Sequence, residues 1–172
     1  DADQDFGCNP CSEISLRPMQ FCNLSEVVVR ATDDITAIEK KVRLATILGT
    51  IQSTFTYFPY LRKAWKQNTE EERLLGVSLT GIMDNPLLTV ENKDLANTLN
   101  HLRQLAIKTN KEWAERLEIP ASTAITCVKP SGTVSQLVDS ASGLHPRYSP
   151  FYIRTVRGDN KDPLTQFMID QG

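Results

Sequence analysis

The 172-residue sequence has no apolar run near the ~18 residues that a bilayer-spanning helix needs, so no membrane segment is expected. It has no basic surplus either: 19 Lys and Arg stand against 21 Asp and Glu, a formal net charge of -2. A protein that coats phosphate backbones carries such a surplus, so nucleic acid is not an expected partner. No basic stretch leads into an apolar one, so a signal peptide is not visible. An initial Met is missing before Asp1, and Gly172 follows directly on a helix-like run; both ends read as cuts within a longer chain. Cysteine is sparse: Cys8, Cys11, Cys22 and Cys127 are the whole supply. With 40% hydrophobic residues the chain can build an ordinary core. Three thiols crowded near its start therefore suit a reactive site in a reducing compartment such as the cytoplasm better than a disulfide framework. Cys8-x-x-Cys11 has a zinc-like spacing, but Cys22 stands alone and His101 and His145 are remote, so no metal site is expected.

No repeat or low-complexity block divides the chain, whose length is that of one domain. Residues 1–20, with Gly7, Pro10 and Pro18, read as a loop. Phe21–Leu24 and Val27–Val29 read as a strand with an irregular middle. Thr32 or Asp33 caps a long helix carrying Ile35, Ile38, Val42, Ala45 and Leu48 at helical spacing, which Pro59 closes. Glu70–Arg73 suggests a short turn, Leu75–Met83 a buried strand closed by Asp84-Asn85-Pro86, and residues 92–117 a second long helix. Ala124–Val128 is a third strand and Lys129–Thr133 a turn; Val134–Asp139 opens a helix. Phe151–Arg157 is extended, and Pro163 begins a terminal helix. Strands alternating with long helices predict α/β architecture with parallel pairing. Three or four strands are too few to close a barrel by themselves.

The most informative stretch is Asn9-Pro10-Cys11-Ser12-Glu13-Ile14, with an amide, a thiol and a carboxylate at alternate positions. In an extended segment alternate residues share a face, so the three groups would project into one cavity. The thiol can serve as nucleophile or hydrogen-atom donor, the carboxylate as base and the amide as an orienting partner. A polar surface loop would show the same spacing.

This stretch, followed by Phe21-Cys22-Asn23-Leu24, resembles the active-site finger loop and next strand of ribonucleotide reductase catalytic subunits. Cys127-Val128-Lys129-Pro130-Ser131-Gly132-Thr133-Val134-Ser135 resembles that family's substrate phosphate loop. A third likeness joins Gly143-Leu144-His145-Pro146 to Tyr152-Ile153-Arg154-Thr155-Val156-Arg157. The wording is closest to the monomeric, adenosylcobalamin-dependent (class II) ribonucleoside-triphosphate reductases. Pro10 and residues 129–157 favour class II over a class I large-subunit fragment.

The resemblance implies a fragment of a ten-stranded α/β barrel: residues 1–20 as finger loop and 21–172 as its second half, incomplete at the C-terminus. It implies a thiyl radical on Cys11 that removes the 3′ hydrogen atom of the ribose. Glu13 would take the 3′-hydroxyl proton, and Asn9 would hold the ribose hydroxyls. Cys22 would be one half of the reducing dithiol, its partner lying on an earlier strand of the family. Adenosylcobalamin is the implied cofactor, although no cobalamin-binding residue can be named. A ribonucleotide substrate, a thioredoxin-type reductant and the remainder of the reductase chain are the implied partners. A sheltered site suits this chemistry, because it keeps a radical from water and oxidants; solvent exposure of Cys11 would count against the reading.

Pro130, Ser131, Gly132, Thr133, Val134 and Ser135 have a physical logic of their own. Small residues at a strand-to-helix junction expose backbone N–H groups, the helix start favours an anion, and the three hydroxyls add donors. In isolation the same turn reads as an ordinary capped helix start. Cys8 reads as a partly exposed thiol, Cys127 as core packing, His145 as a structural hydrogen-bonding residue and His101 as a helix-surface residue. Arg154 and Arg157 suit either substrate phosphate or a strand-edge ion pair. A non-catalytic nucleotide-binding remnant is the rival function. On either reading the isolated chain is expected to be inactive and poorly stable, because half a barrel leaves an open sheet edge.

Overall fold

The computed structural model describes residues 5–172, so residues 1–4 of the expected finger loop lie outside the described residues. The opening loop contains a minimal antiparallel ladder, β1 (Gly7–Cys8) against β2 (Ser15–Leu16), with Cys8 opposite Ser15. Beyond it, β3 (Asn23–Val28) runs parallel to β4 (Leu75–Thr80), with Asn23 opposite Leu75 and Val28 opposite Thr80. Parallel neighbours need a crossover, and α1 (Ile35–Gln52) and α2 (Lys63–Glu72) supply it. Residues 124–127 then join the other edge of β4. Val77 N–H donates to Ile125 O at 2.9 Å, and Cys127 N–H donates to Val77 O at 3.1 Å, around one parallel bridge between Val77 and Thr126. The expected third strand is thus reduced to a single bridge, and the α/β character with parallel pairing is borne out.

The Asp34 carboxylate, one residue beyond the expected caps, accepts from Ala37 N–H at 2.8 Å and starts α1. Asp33 instead accepts from Arg30 N–H at 2.7 Å and pairs with Lys41. The helix stops well short of Pro59. Ser53 and Thr54 hydroxyls donate to Thr50 O and Ile51 O, both at 2.7 Å, and side-chain bonds of this kind compete with a further helical turn. Helix α2 was expected only as a turn. Its residues are almost all polar and only Thr69 is buried, so no apolar period announces it.

Helix α3 (Leu95–Arg116) packs on α1. Ile38, Val42 and Ala45, Leu102 and Ala106, and Val27, Leu75 and Val77 form one buried cluster from both helices and the sheet. A polar seam runs beside it. Buried Asn110 donates to Thr50 Oγ1 and to Ser122 Oγ, each at 3.0 Å, and accepts from Ser122 N–H at 2.9 Å. This one amide fixes the lead into residues 124–127 against both helices. The helix expected from Val134 lasts a single turn, α4 (Val134–Leu137), and Phe151–Arg157 forms no strand. Pro163 does begin the terminal helix α5 (Pro163–Gln171), capped by Asp162. No helix among the described residues is long and apolar enough to cross a membrane.

Strand β4 ends at Thr80 rather than Met83, because Gly81 adopts φ 76° and a 3-10 turn, Ile82–Asp84, follows. A Cβ at Gly81 would stand 2.3 Å from Val29 O, a backbone atom that cannot swing aside. Gly81→Ala is therefore expected to cost at least about 1–2 kcal/mol from the left-handed backbone alone. A lower midpoint in urea unfolding reads this; an unchanged midpoint would mean that the turn relaxes freely.

Candidate active site

Pro10, with its fixed φ, and Ser12, at φ 61°, turn the finger loop back on itself. Ser12 N–H donates to Asn9 O at 2.9 Å, and Asn9 N–H donates to Ile14 O at 3.2 Å. The Asn9 side chain completes the knot: its Oδ1 accepts from Ile14 N–H at 3.1 Å and its Nδ2 donates to Glu13 Oε1. Asn9, Cys11 and Glu13 are therefore gathered by a tight turn, not by the extended segment that their alternation suggests. Buried Ile14 anchors the turn on the sheet. A Cβ added to Gly76 in β4 would stand 3.0 Å from Ile14 Cδ1 and 3.1 Å from Cys127 Sγ.

Glu13 is the centre of the site, with only 4% of its side chain exposed. Lys129, 116 positions away, donates from Nζ to Glu13 Oε1 at 2.8 Å. Burial drives the Glu13 carboxyl up, but the bonds from Lys129 and Asn9 outweigh it and hold the group below the ordinary carboxylate range. The same bond to Glu13 pushes the Lys129 ammonium up, so the pair is ionised. Glu13 Oε2 is buried and has no hydrogen-bond partner among the described residues. A carboxylate with one oxygen fixed and the other open is a base with room for a donor.

Cys11 sits at the tip of the turn with its Sγ 3.8 Å from Lys129 Nζ. It is exposed, against the expectation of a sheltered cavity. Pro10, Cys11 and Ser12 at the bend are all exposed, whereas Ile14 and the Glu13 side chain that follow it are buried. Cys22 and Cys127 are half-buried. Burial, with the Glu13 charge adding to it, raises both thiols, Cys127 to about 11. Both therefore keep their protons at neutral pH. Cys8 is exposed, 3.5 Å from Ser12 Oγ, and all four thiols are free.

Lys129 also opens the second expected site. In the turn that follows it, Ser131 is buried with its Oγ unpartnered among the described residues. Gly132 takes φ 59°, and the amides of Gly132 and Thr133 donate to no backbone carbonyl among the described residues. Ser135 differs from expectation: its hydroxyl is buried and already donates to Gly132 O at 2.9 Å. Pro130, Thr133 and Val134 are exposed. A single helical turn at 134–137 has little dipole, so the anion-binding capacity of this bend rests on Ser131 and the free amides.

Two residues here were not singled out by the sequence. Lys129 lay inside a quoted motif, but only the sheet order brings it to Glu13. Arg147 binds Asp84 Oδ1 at 3.0 Å and Asp139 Oδ1 at 2.8 Å, clamping the loop after the turn to the end of β4. His145, read as a structural hydrogen-bonding residue, is exposed and meets Ser142 O at 3.3 Å; His101 is on the surface and meets Glu39 at 2.6 Å. Arg154 and Arg157 lie exposed in a segment that forms no strand.

No family model matches the chain. It is 29% identical over 191 residues to the adenosylcobalamin-dependent ribonucleoside-triphosphate reductase of Lactobacillus gasseri, covering 96% of this chain and 25% of that protein. Identity is 30% over 189 residues to the protein of the same name from Levilactobacillus brevis, covering 92% and 24%. For that of Lactobacillus leichmannii it is 27% over 183 residues, with the same 92% and 24% coverage. The crystal structure of a B12-dependent (class II) ribonucleotide reductase superposes with a TM-score of 0.67 at 26% identity, covering 86% of this chain and 24% of that one. The likeness to class II reductases read from three motifs thus extends along nearly the whole chain, which spans about a quarter of the length of these relatives.

The Glu13–Lys129 pair predicts a pH dependence. A carboxyl held low in the folded state contributes stability that is fully present above its unfolded value and is lost as pH falls through its folded one. Protection of the Ile14 amide in hydrogen exchange is therefore expected to be constant above the ordinary carboxylate range and to fall below it. Glu13→Gln should abolish that pH dependence; protection that titrates identically in the variant would assign it to another group.

Proposed function

We propose that this chain is the part of a class II ribonucleotide reductase that carries the radical thiol, the base and one reducing thiol, and that it converts ribonucleoside triphosphates to 2′-deoxyribonucleotides. One observation carries the reading: a buried, ionised Glu13 with Oε2 open, beside Cys11 and joined through Lys129 to a turn with an unpartnered Ser131 hydroxyl. Two unsatisfied buried polar atoms, one on each of the two segments that the Lys129–Glu13 bond joins, are what a polar ligand would satisfy.

The residues divide the chemistry between them. Cys11 as a thiyl radical takes the hydrogen atom from the ribose 3′ carbon, becoming a thiol, and once the dithiol has reduced the substrate it returns a hydrogen atom to that carbon, which restores the thiyl radical. Glu13 Oε2 accepts the 3′-hydroxyl proton while Asn9 and Lys129 hold Oε1, and the 2′-hydroxyl leaves as water. Cys22, kept protonated by burial, supplies a proton and one of the two electrons of a dithiol that ends as a disulfide. Its partner belongs to the remainder of the longer protein. Each turnover leaves that disulfide oxidised, so a thioredoxin-type dithiol is the reductant. Ser131 and the amides of Gly132 and Thr133 bind the phosphates, with Pro130, Val134 and Ser135 shaping the bend.

Adenosylcobalamin supplies the oxidising radical when bound. The exposed Cys11 Sγ leaves a face open to such a group, which is the fit this chain offers; none of its described side chains is assigned to hold the corrin. The three parallel neighbours β3, β4 and 124–127 form part of a ten-stranded barrel whose other strands complete the wall over Cys11. An open apolar cleft of about 520 Å³ beside β4, lined by Val77, Leu79, Leu99 and Val128, supports further chain packing there. The exposed apolar face of α5, with Leu164, Phe167 and Ile169, supports the same.

Exposure of Cys11 favours the second reading, a nucleotide-binding remnant without turnover. The full-length protein, supplied with adenosylcobalamin, a ribonucleoside triphosphate and a dithiol, separates the two. Cys11→Ser is expected to lose all turnover while still binding nucleotide, and Glu13→Gln to lose about 10²–10⁴-fold in rate. Turnover that survives Cys11→Ser removes the radical role, and a parent protein that binds nucleotide without reducing it establishes the remnant.

A further inference from the structure

We propose that Lys129 is a positioning residue that straps the finger loop to the phosphate turn, so that a nucleotide seated on residues 130–135 meets Glu13 and Cys11 already in register. The inference rests on the reductase reading and adds a residue to it.

The platform under Lys129 is rigid. Its carbonyl lies 3.1 Å from the place a Gly143 Cβ would occupy, and Gly143, at φ 56°, has no such atom. Gly143 N–H donates to the buried Thr80 Oγ1 at 2.7 Å, and Thr80 Oγ1 donates to Ala141 O at 3.0 Å. The backbone of residue 129 thus packs closely against the 141–143 loop, which is itself bonded to the end of β4. From that base the side chain extends across to the finger loop, where Nζ meets Glu13 Oε1 at 2.8 Å and Cys11 Sγ at 3.8 Å. Glu13 has 4% of its side chain exposed and Lys129 26%, so the pair is shielded enough to be structurally decisive. Breaking such a pair leaves an uncompensated buried charge.

The strap also sets the charge state of the base. The titratable groups around this pair are the thiol of Cys11, 3.8 Å from Lys129 Nζ, and the half-buried thiols of Cys22 and Cys127, on which the charges of Glu13 and Lys129 both act; Asn9 is a neutral donor to Glu13. Lys129 is therefore the cation that keeps Glu13 ionised against its burial. Without it, the carboxyl retains one neutral donor in a desolvated place, and its proton affinity rises.

Lys129→Met in the full-length protein is expected to lower kcat by about 10- to 100-fold, the loss that misplacing reacting groups by an ångström produces. The acid limb of the kcat–pH profile should move to higher pH, with KM for nucleotide little changed. Lys129→Arg, which keeps the cation, should restore the acid limb and most of kcat. A profile for Lys129→Met that matches the parent overturns the proposal. So does a rise in KM at unchanged kcat, which would make Lys129 a direct phosphate ligand. Hydrogen exchange at the Ile14 amide, measured without cofactor, should quicken in Lys129→Met and return toward the parent rate in Lys129→Arg. Equal exchange in all three proteins removes the strap. Cys11→Ser assayed alongside separates the two levels: turnover surviving in it sinks the reductase reading, whereas its loss together with parent-like Lys129→Met sinks this inference alone.

Discussion

A carboxylate buried to the extent of Glu13 cannot stay ionised without a cation and donors at contact distance, and this requirement organises the upper part of the molecule. Asn9 comes from the same turn, so its donation is local. Lys129 comes from 116 positions further on, and its arrival depends on everything between. The crossover through α1 and α2 must bring β4 alongside β3, and α3 must return the chain to the other edge of β4. Residues 124–127 must then run parallel to it, so that residue 129 emerges beside the finger loop. The Glu13–Lys129 bond is thus the point at which the sheet order acquires chemical meaning.

The sheet is adapted to this meeting rather than to maximum pairing. Gly76 in β4 carries no side chain, and Ile14 from the finger loop, Leu24 from β3 and Cys127 from the third segment converge over it. A larger residue would fill the space where these segments share a face. At the far end of β4, Thr80, Gly81 and the Arg147 clamp on Asp84 and Asp139 fix the loop after the 130–135 turn. Burial raises the Asp84 carboxyl, but Arg147 outweighs it and holds Asp84 ionised, the same balance that operates at Glu13. Two carboxylates with buried or half-buried side chains bracket the turn, Glu13 held by Lys129 and Asp84 by Arg147 with help from the Ala141 amide and Arg30.

Much of the fold was readable where apolar period was strong. Ile35, Ile38, Val42 and Ala45 announce α1, Leu95, Leu102 and Ala106 announce α3, and the run from Leu75 announces β4. Where polarity hides the period, as in Lys63–Glu72, the helix escaped notice. That Asn9, Cys11 and Glu13 are gathered together was legible, because an amide, a thiol and a carboxylate so close in sequence are chemically distinctive. The geometry of the gathering was not. Alternation along a chain implies an extended strand only if the backbone is free to extend, and Pro10 with left-handed Ser12 forbids that here. Lys129 was invisible as a partner of Glu13 because a long-range ion pair leaves no local pattern, and Ser135 looked like a ligand donor until Gly132 O claimed its hydroxyl.

The contrast between Glu13 and Cys11 follows from what each group has to do on the reading proposed. A base must hold a defined charge and offer one lone pair in one direction, and burial against Asn9 and Lys129 achieves both. A thiol that is oxidised by a group from outside the chain must instead face that group. The turn gives the two residues, two positions apart, different environments: the Glu13 side chain is buried, whereas Cys11 is exposed. Lys129 touches both, which keeps their separation fixed although their environments differ. An extended strand, with both side chains on one face, would have forced them into the same surroundings: either the carboxylate would be wet or the sulfur would be closed off. The tight turn therefore gives the carboxylate and the thiol the separate environments that the residue spacing alone does not suggest.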